Sequence, residues 1–379
     1  MRHRLQAGVL ALWTAACGGG GGASSPSAPA PASPPAAVLA AGTVLSFVSG
    51  ETDQPVGGAR VTVGAASYLA DASGQIVLGE SVPQSTPVGV LAEGYLDRRV
   101  LLSPGETRLT LWPRLSTLTR EPFTRYVRDP FGLDELWTQE LVYTDTRWCS
   151  AQSQFSLGGR PLRRARTGAT IPVGVAEGPF RRQSVQRAVQ AATGLANAAS
   201  EGRVVFQYVE GAVPAGGIVV ESLDLPGDEA QFVAQLVATT DGEGYVTGGR
   251  VQFAVDPVQR ADWPSFQQSA WFLGETEFLT ETIAHELGHA LGLWHAYFDD
   301  GRQTYHWGLM TIRADATCGG MGVWYYLDAR DFSPAEKLAL KLMYQRRPGN
   351  TFPDSDGGAR ASRAGETAVV CRLGAPPLD

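Results

Sequence analysis

The stretch Thr280-Glu281-Thr282-Ile283-Ala284-His285-Glu286-Leu287-Gly288-His289-Ala290-Leu291-Gly292-Leu293-Trp294-His295 decides how the rest of this chain is read. Leu279, Ile283, Leu287, Ala290 and Leu291 recur at helical spacing, which predicts an amphipathic helix ending near Gly292. His285 and His289 are four residues apart, hence about 40° around the axis and about 6 Å along it, so both imidazoles can address one ion. Gly292 can adopt φ > 0, turn the chain and return His295 to the same ion. Three neutral imidazoles leave a fourth position for water, the arrangement of a catalytic rather than a structural zinc. Glu286, beside the first of them, is placed to take the proton from that water.

The string resembles the metzincin family of zinc endopeptidases, whose pattern HExxHxxGxxH is followed by a methionine-containing turn. His285, Glu286, His289, Gly292 and His295 each fit it, and Trp307-Gly308-Leu309-Met310-Thr311 offers Met310 as the turn methionine. The resemblance implies one catalytic Zn2+ on the three histidines. It implies hydrolysis of a peptide bond by a zinc-activated water, with Glu286 as base toward the water and then as acid toward the leaving amine. A protein or peptide substrate would lie extended along an edge strand, with Leu309, Ile312 and Arg313 as candidates for the pocket wall. Ala296 follows the third histidine and Ile312 stands two residues after Met310, so the residues marking several branches are not here and the subfamily stays open. The compact order looks matrixin-like, without the cysteine-switch motif of that branch.

Outward from the helix, Val185, Ala188, Val189, Ala192, Leu195 and Ala196 trace one helical face. Arg203–Tyr208, Ile218–Glu221 and Gly249–Val255 read as strands, and Ser333-Pro334-Ala335-Glu336 is a capping box with Pro at the first helical position, opening a last helix to Tyr344. Farther upstream, short β-prone runs at Thr43–Val48, Ala59–Val63, Val88–Leu91 and Arg108–Trp112 alternate with Gly/Pro/Asp/Ser clusters, predicting an antiparallel sandwich. Gln54–Val61, Asp71–Gly74 and Ala92–Tyr95 resemble the carboxypeptidase regulatory-like family of transthyretin-like sandwiches, which implies a fold and no chemistry. The expected class is a multidomain chain, a small all-β sandwich followed by an α+β metzincin-like zinc peptidase domain.

Arg2 and Arg4 precede a short apolar stretch, Leu5–Ala16, too short to span a bilayer and read as an export signal. It runs into Thr14-Ala15-Ala16-Cys17 and five glycines, which resembles the lipobox of bacterial lipoproteins and implies a lipid on Cys17, with free secretion as the alternative. The domain expectation is a signal and lipobox over 1–17, a Gly/Ala/Pro/Ser tether over 18–41, the sandwich over 42–113, the peptidase domain over 114–350 and a tail over 351–379. The expected location is the bacterial cell envelope, lipid-anchored to the outer membrane or surface. Export permits disulfides among Cys149, Cys318 and Cys371, and an odd count leaves the pairing open.

The 379 residues are 44% hydrophobic and 18% charged, enough for folded domains with cores. With 31 basic against 38 acidic residues the net charge is -7, which gives no overall field for nucleic acid. The cluster Arg160, Arg163, Arg164, Arg166, Arg181 and Arg182 reads as a solvated loop, and His306 as a solvated histidine. Asp299-Asp300-Gly301 and Asp354-Ser355-Asp356-Gly357 could offer oxygens to calcium but lack the remaining ligands of a recognised loop. Two other functions compete with the peptidase: a catalytically quiet envelope binding lipoprotein, and a zinc hydrolase of a non-peptide amide or ester. Oligomeric state is not legible.

Overall fold

The computed structural model describes residues 38–84, 86–102, 105–118, 164–226, 232–241, 245–259, 274–293, 296–298, 308–313, 324–325, 330–346, 350–351, 354–356 and 367–374. The signal, Cys17, Cys149, His295, His306 and Cys318 therefore lie outside the described residues, as does most of the expected tether. The described chain is mostly β-sheet with few helices and is multidomain-like, built on two hydrophobic cores. No helix of the described residues is long and apolar enough to cross a membrane.

Nine strands come first: β1 (Val38–Leu39), β2 (Val44–Ser49), β3 (Arg60–Val63), β4 (Ala66–Leu69), β5 (Gln75–Val77), β6 (Val82–Pro83), β7 (Pro87–Leu91), β8 (Arg98–Leu101) and β9 (Arg108–Leu111). There follow β10 (Thr170–Val175), α1 (Gln183–Ala199), β11 (Val205–Tyr208), β12 (Ile218–Ser222), β13 (Phe232–Thr240) and β14 (Val246–Phe253). The chain continues through α2 (Glu275–Ala290), β15 (Ala296–Phe298), β16 (Thr311–Arg313), β17 (Trp324–Tyr325) and α3 (Pro334–Met343). It closes with β18 (Asn350–Thr351), β19 (Ser355–Asp356) and β20 (Thr367–Gly374).

The first core lies between a three-stranded sheet, β5-β2-β9, and a larger one, β18-β19-β8-β7-β3-β4. Period-two alternation builds it: Val61 and Val63 of β3 turn inward while Arg60 and Thr62 face out, and Val88 and Val90 of β7 do the same. The second core belongs to the sheet β11-β10-β12-β14-β13-β20, in which β13 runs antiparallel to both neighbours and the other contacts are parallel. Helices α1 and α2 pack on each other and on this sheet. Ala188, Ala192, Ala196 and Ala199 keep the buried face of α1 small enough for close approach. Arg182, at the start of α1, donates to Asp256 and to Glu275 in the first turn of α2, tying the two helix starts together.

Residues 351–379, set apart in the sequence as a tail, supply β19 to the sandwich sheet and β20 to the edge of the other. Arg98 occupies an inward position of β8, where the alternation calls for an apolar side chain. Asp354 and Asp356 meet it, at 2.8 and 3.0 Å. Asp354 also accepts two 2.7 Å hydrogen bonds from Arg346, whose guanidinium donates to Thr110 and lies 4.1 Å over the Trp112 ring. Trp112 itself packs into the second core. Asp354 and Asp356, considered for calcium, are thus taken by guanidinium groups, and Asp299 and Asp300 lie outside the described residues. The expectation of a solvated arginine cluster fails at Arg164, which is buried, donates to the Arg346 carbonyl at 2.7 Å and lies over Tyr344. Arg166 pairs with Asp241 and Arg182 with Asp256, and Arg160 and Arg163 lie outside the described residues.

Candidate metal centre

Helix α2 is buried on nearly every side, from Phe278 to Ala290. Its C-terminus has the Schellman pattern: Leu293 N–H donates to the Gly288 carbonyl, Gly292 N–H to that of His289, and Gly292 has φ 100°. The turn expected at Gly292 is present. It brings the Leu293 carbonyl back over the helix, where it accepts a 2.8 Å hydrogen bond from His289 Nδ1. His285 Nδ1 donates to the Leu309 carbonyl at 2.6 Å. A carbonyl can only accept, so in both rings Nδ1 carries the proton and Nε2 the lone pair. The ring centroids are 4.8 Å apart, nearly perpendicular.

Burial pushes His285 down to about 4, and it holds His289 well below the ordinary imidazole range with a further push from His285. Neutral imidazoles with fixed tautomers are what a divalent metal requires. Glu286 is fully buried and neither carboxylate oxygen makes a hydrogen bond of good geometry with the described residues. Burial therefore drives the Glu286 carboxyl well above the usual range. A buried carboxylate without a well-formed hydrogen bond, on the same helix as two neutral imidazoles held through Nδ1, fits a cation and a water. Among the described residues no group of three or more His, Cys, Asp or Glu is gathered as a metal set, and the expected third member, His295, lies outside them.

Met310 is fully buried directly beneath α2, against Gly288. Its N–H donates to Glu336 Oε1 at 2.9 Å, and the other oxygen of Glu336 accepts from Ser333 N–H at 2.7 Å. The capping box that opens α3 thereby fixes the turn carrying Leu309, and Leu309 fixes His285. The sequence reading found this capping box and missed its second partner, because the signature Ser-x-x-Glu reports only local bonds. Of the pocket candidates, Leu309 is buried under the site, and Ile312 and Arg313 lie in β16, of which the backbone alone is described.

No family model matches the chain, and no curated protein matches it. Among solved structures, one titled "GM1 bound form of the ECX AB5 holotoxin" is similar at 16% identity, covering 49% of this chain and 84% of that one, with a TM-score of 0.29. "Structure of myroilysin" is similar at 17% identity over 48% of this chain and 96% of that one, with a TM-score of 0.26. "Crystal structure of myroilysin" aligns over 35% and 47%, at 17% identity and a TM-score of 0.20. Likeness at these scores assigns no fold.

Proposed function

We infer that the chain is an exported zinc-dependent endopeptidase of metzincin-like fold, held at the envelope by a lipid on Cys17. The observation that carries this reading is the coexistence of two adjacent buried imidazoles, each held through Nδ1 by a backbone carbonyl, and a buried Glu286 whose oxygens lack a hydrogen-bond partner among the described residues. The order β10, α1, β11 to β14, α2, Met310 and α3 supports it, being the order the resemblance implies. His295 is the expected third ligand.

Zinc, when bound, supplies a Lewis acid that polarises a carbonyl and makes water acidic. Neither oxygen of Glu286 makes a hydrogen bond of good geometry with the described residues, so it can accept a proton from an attacking water and return it to the departing amine. Burial raises its proton affinity, as suits a group that must take up a proton and return it. His285 and His289 hold position because their Nδ1 protons are fixed by backbone, not by side chains that could swing.

Digestion of a mixed peptide library by the zinc-loaded full chain, beside Glu286→Ala, tests the reading. Cut sites that disappear in the variant while its zinc remains are expected. Cuts that persist in the variant contradict the role of Glu286. Zinc retained with turnover only of small esters or amides contradicts the peptidase and favours the other hydrolase.

A further inference from the structure

We propose that β20 occupies the peptide-binding edge of β13 as a built-in pseudo-substrate, so that an extended peptide reaches the site only by displacing the chain's own C-terminal strand. The inference rests on the peptidase reading and adds the occupant and the regulation of its substrate channel.

Without β20, the sheet ends at β13, the one strand that runs antiparallel to its neighbour in the order β11-β10-β12-β14-β13. An exposed strand edge offers a row of backbone donors and acceptors to any extended chain. The residues Thr367–Gly374 take that row antiparallel, from Thr239↔Thr367 to Phe232↔Gly374. This edge runs beside the helix that carries Glu286: α2 packs against both β13 and β20, and Leu236 of β13 is in register with Cys371. A peptide presented to Glu286 along β13 would need the backbone positions that β20 holds.

The ladder is irregular where it passes the site. Register shifts fall between Phe232 and Gln235 and again between Leu236 and Val237, so the pairing is interrupted on both sides of the Leu236↔Cys371 match. Each interruption forfeits ladder hydrogen bonds and favours exchange of the strand for another. A strand that served only to cover the edge would gain from a continuous ladder, and β14 pairs with β13 without interruption from Ala234 to Thr239.

The test uses the full chain carrying a specific protease site between residues 357 and 366, folded first, then cut and diluted. Three quantities are read: amide exchange of residues 232–240, binding of a synthetic Thr367–Gly374 peptide, and hydrolysis of a library-derived substrate with zinc. Cutting is expected to release the C-terminal piece, raise exchange along β13 and raise hydrolysis about tenfold or more, since a tethered strand competes at an effective concentration in the millimolar range. The synthetic peptide is expected to restore protection and inhibit. Should the insertion hinder folding, Val369→Pro in the uncut chain, which puts a proline into β20 in register with Val237, is expected to raise exchange and hydrolysis in the same direction. Equal hydrolysis before and after release overturns the inference and leaves the peptidase standing. Absence of hydrolysis in every state, with zinc bound and β13 freed, overturns the peptidase reading itself.

Discussion

Gly288 and Met310 are in direct contact across the underside of the candidate metal centre: a Cβ at Gly288 would run into the Met310 sulfur and stand 3.0 Å from the Phe332 ring. The glycine between the two histidines is thus a packing requirement, since the helix itself would prefer alanine by up to about 1 kcal/mol.

Gly288→Ala is therefore expected to destabilise the chain. Overpacking costs about 1–3 kcal/mol, which exceeds the gain in helix propensity. Urea unfolding should show the loss, and Gly288→Ala with Met310→Ala should cost less than the two single changes together. A stabilised Gly288→Ala would mean that Met310 does not support α2.

Glu336→Gln should loosen the centre without touching it. Glutamine cannot accept both backbone hydrogen bonds, from Met310 and Ser333, so one buried N–H is orphaned at about 1–3 kcal/mol. Zinc affinity should fall about 10–100-fold, as for other residues that orient a ligand, measured by competition with a chromogenic chelator. Unchanged affinity would detach Glu336 from His285.

The same residue sets a pH dependence. Burial pushes the Glu336 carboxyl up to about 8 in the folded chain, against its ordinary value of 4.5. The folded state then binds the proton more tightly than the unfolded one. This contribution is greatest below the unfolded value and is lost as pH rises toward about 8, by as much as about 5 kcal/mol. Relative to wild type, Glu336→Gln should be most damaging near pH 5 and less so near pH 9. A cost that does not change with pH across that window would contradict it.

Asp354 joins the two cores. Its removal leaves Arg98 and Arg346 buried and facing each other, so Asp354→Ala should cost about 3–5 kcal/mol, read by denaturant unfolding. Asp53→Ala, which breaks more exposed pairs with Arg108 and Lys341, should cost about 1 kcal/mol or less. Similar losses from the two would place the junction elsewhere.

Much of the candidate site was legible because it is local. The repeat Leu279, Ile283, Leu287, Leu291 gives the helix, all four being buried, and Gly292 gives its end. The supports were not legible. The bond from Leu309 to His285 spans 24 residues and that from Glu336 to Met310 spans 26, and neither leaves a periodic trace. Arg98 is separated from Asp354 by 256 residues, so nothing local marks a charged side chain that turns inward on β8. Strands β10, β13 and β20 also escaped the sequence reading; Val369 and Val370 were a weak β signal for the last, but its partner is set by the fold alone. The small strands β1, β4, β5, β6 and β8 were missed because so few residues carry too little pattern.

The central claim is that His285, His289 and His295 share one ion on which Glu286 acts. Zinc content of the purified full chain, measured beside His285→Ala, His289→Ala, His295→Ala and Glu286→Gln together with peptide hydrolysis, tests it most directly. The account predicts one zinc per wild-type chain, loss of zinc in each histidine variant, and a Glu286→Gln protein that keeps zinc while turnover falls by about 10²–10⁴. A wild-type chain that binds no zinc, or a His289→Ala chain that binds it as tightly as wild type, would contradict it.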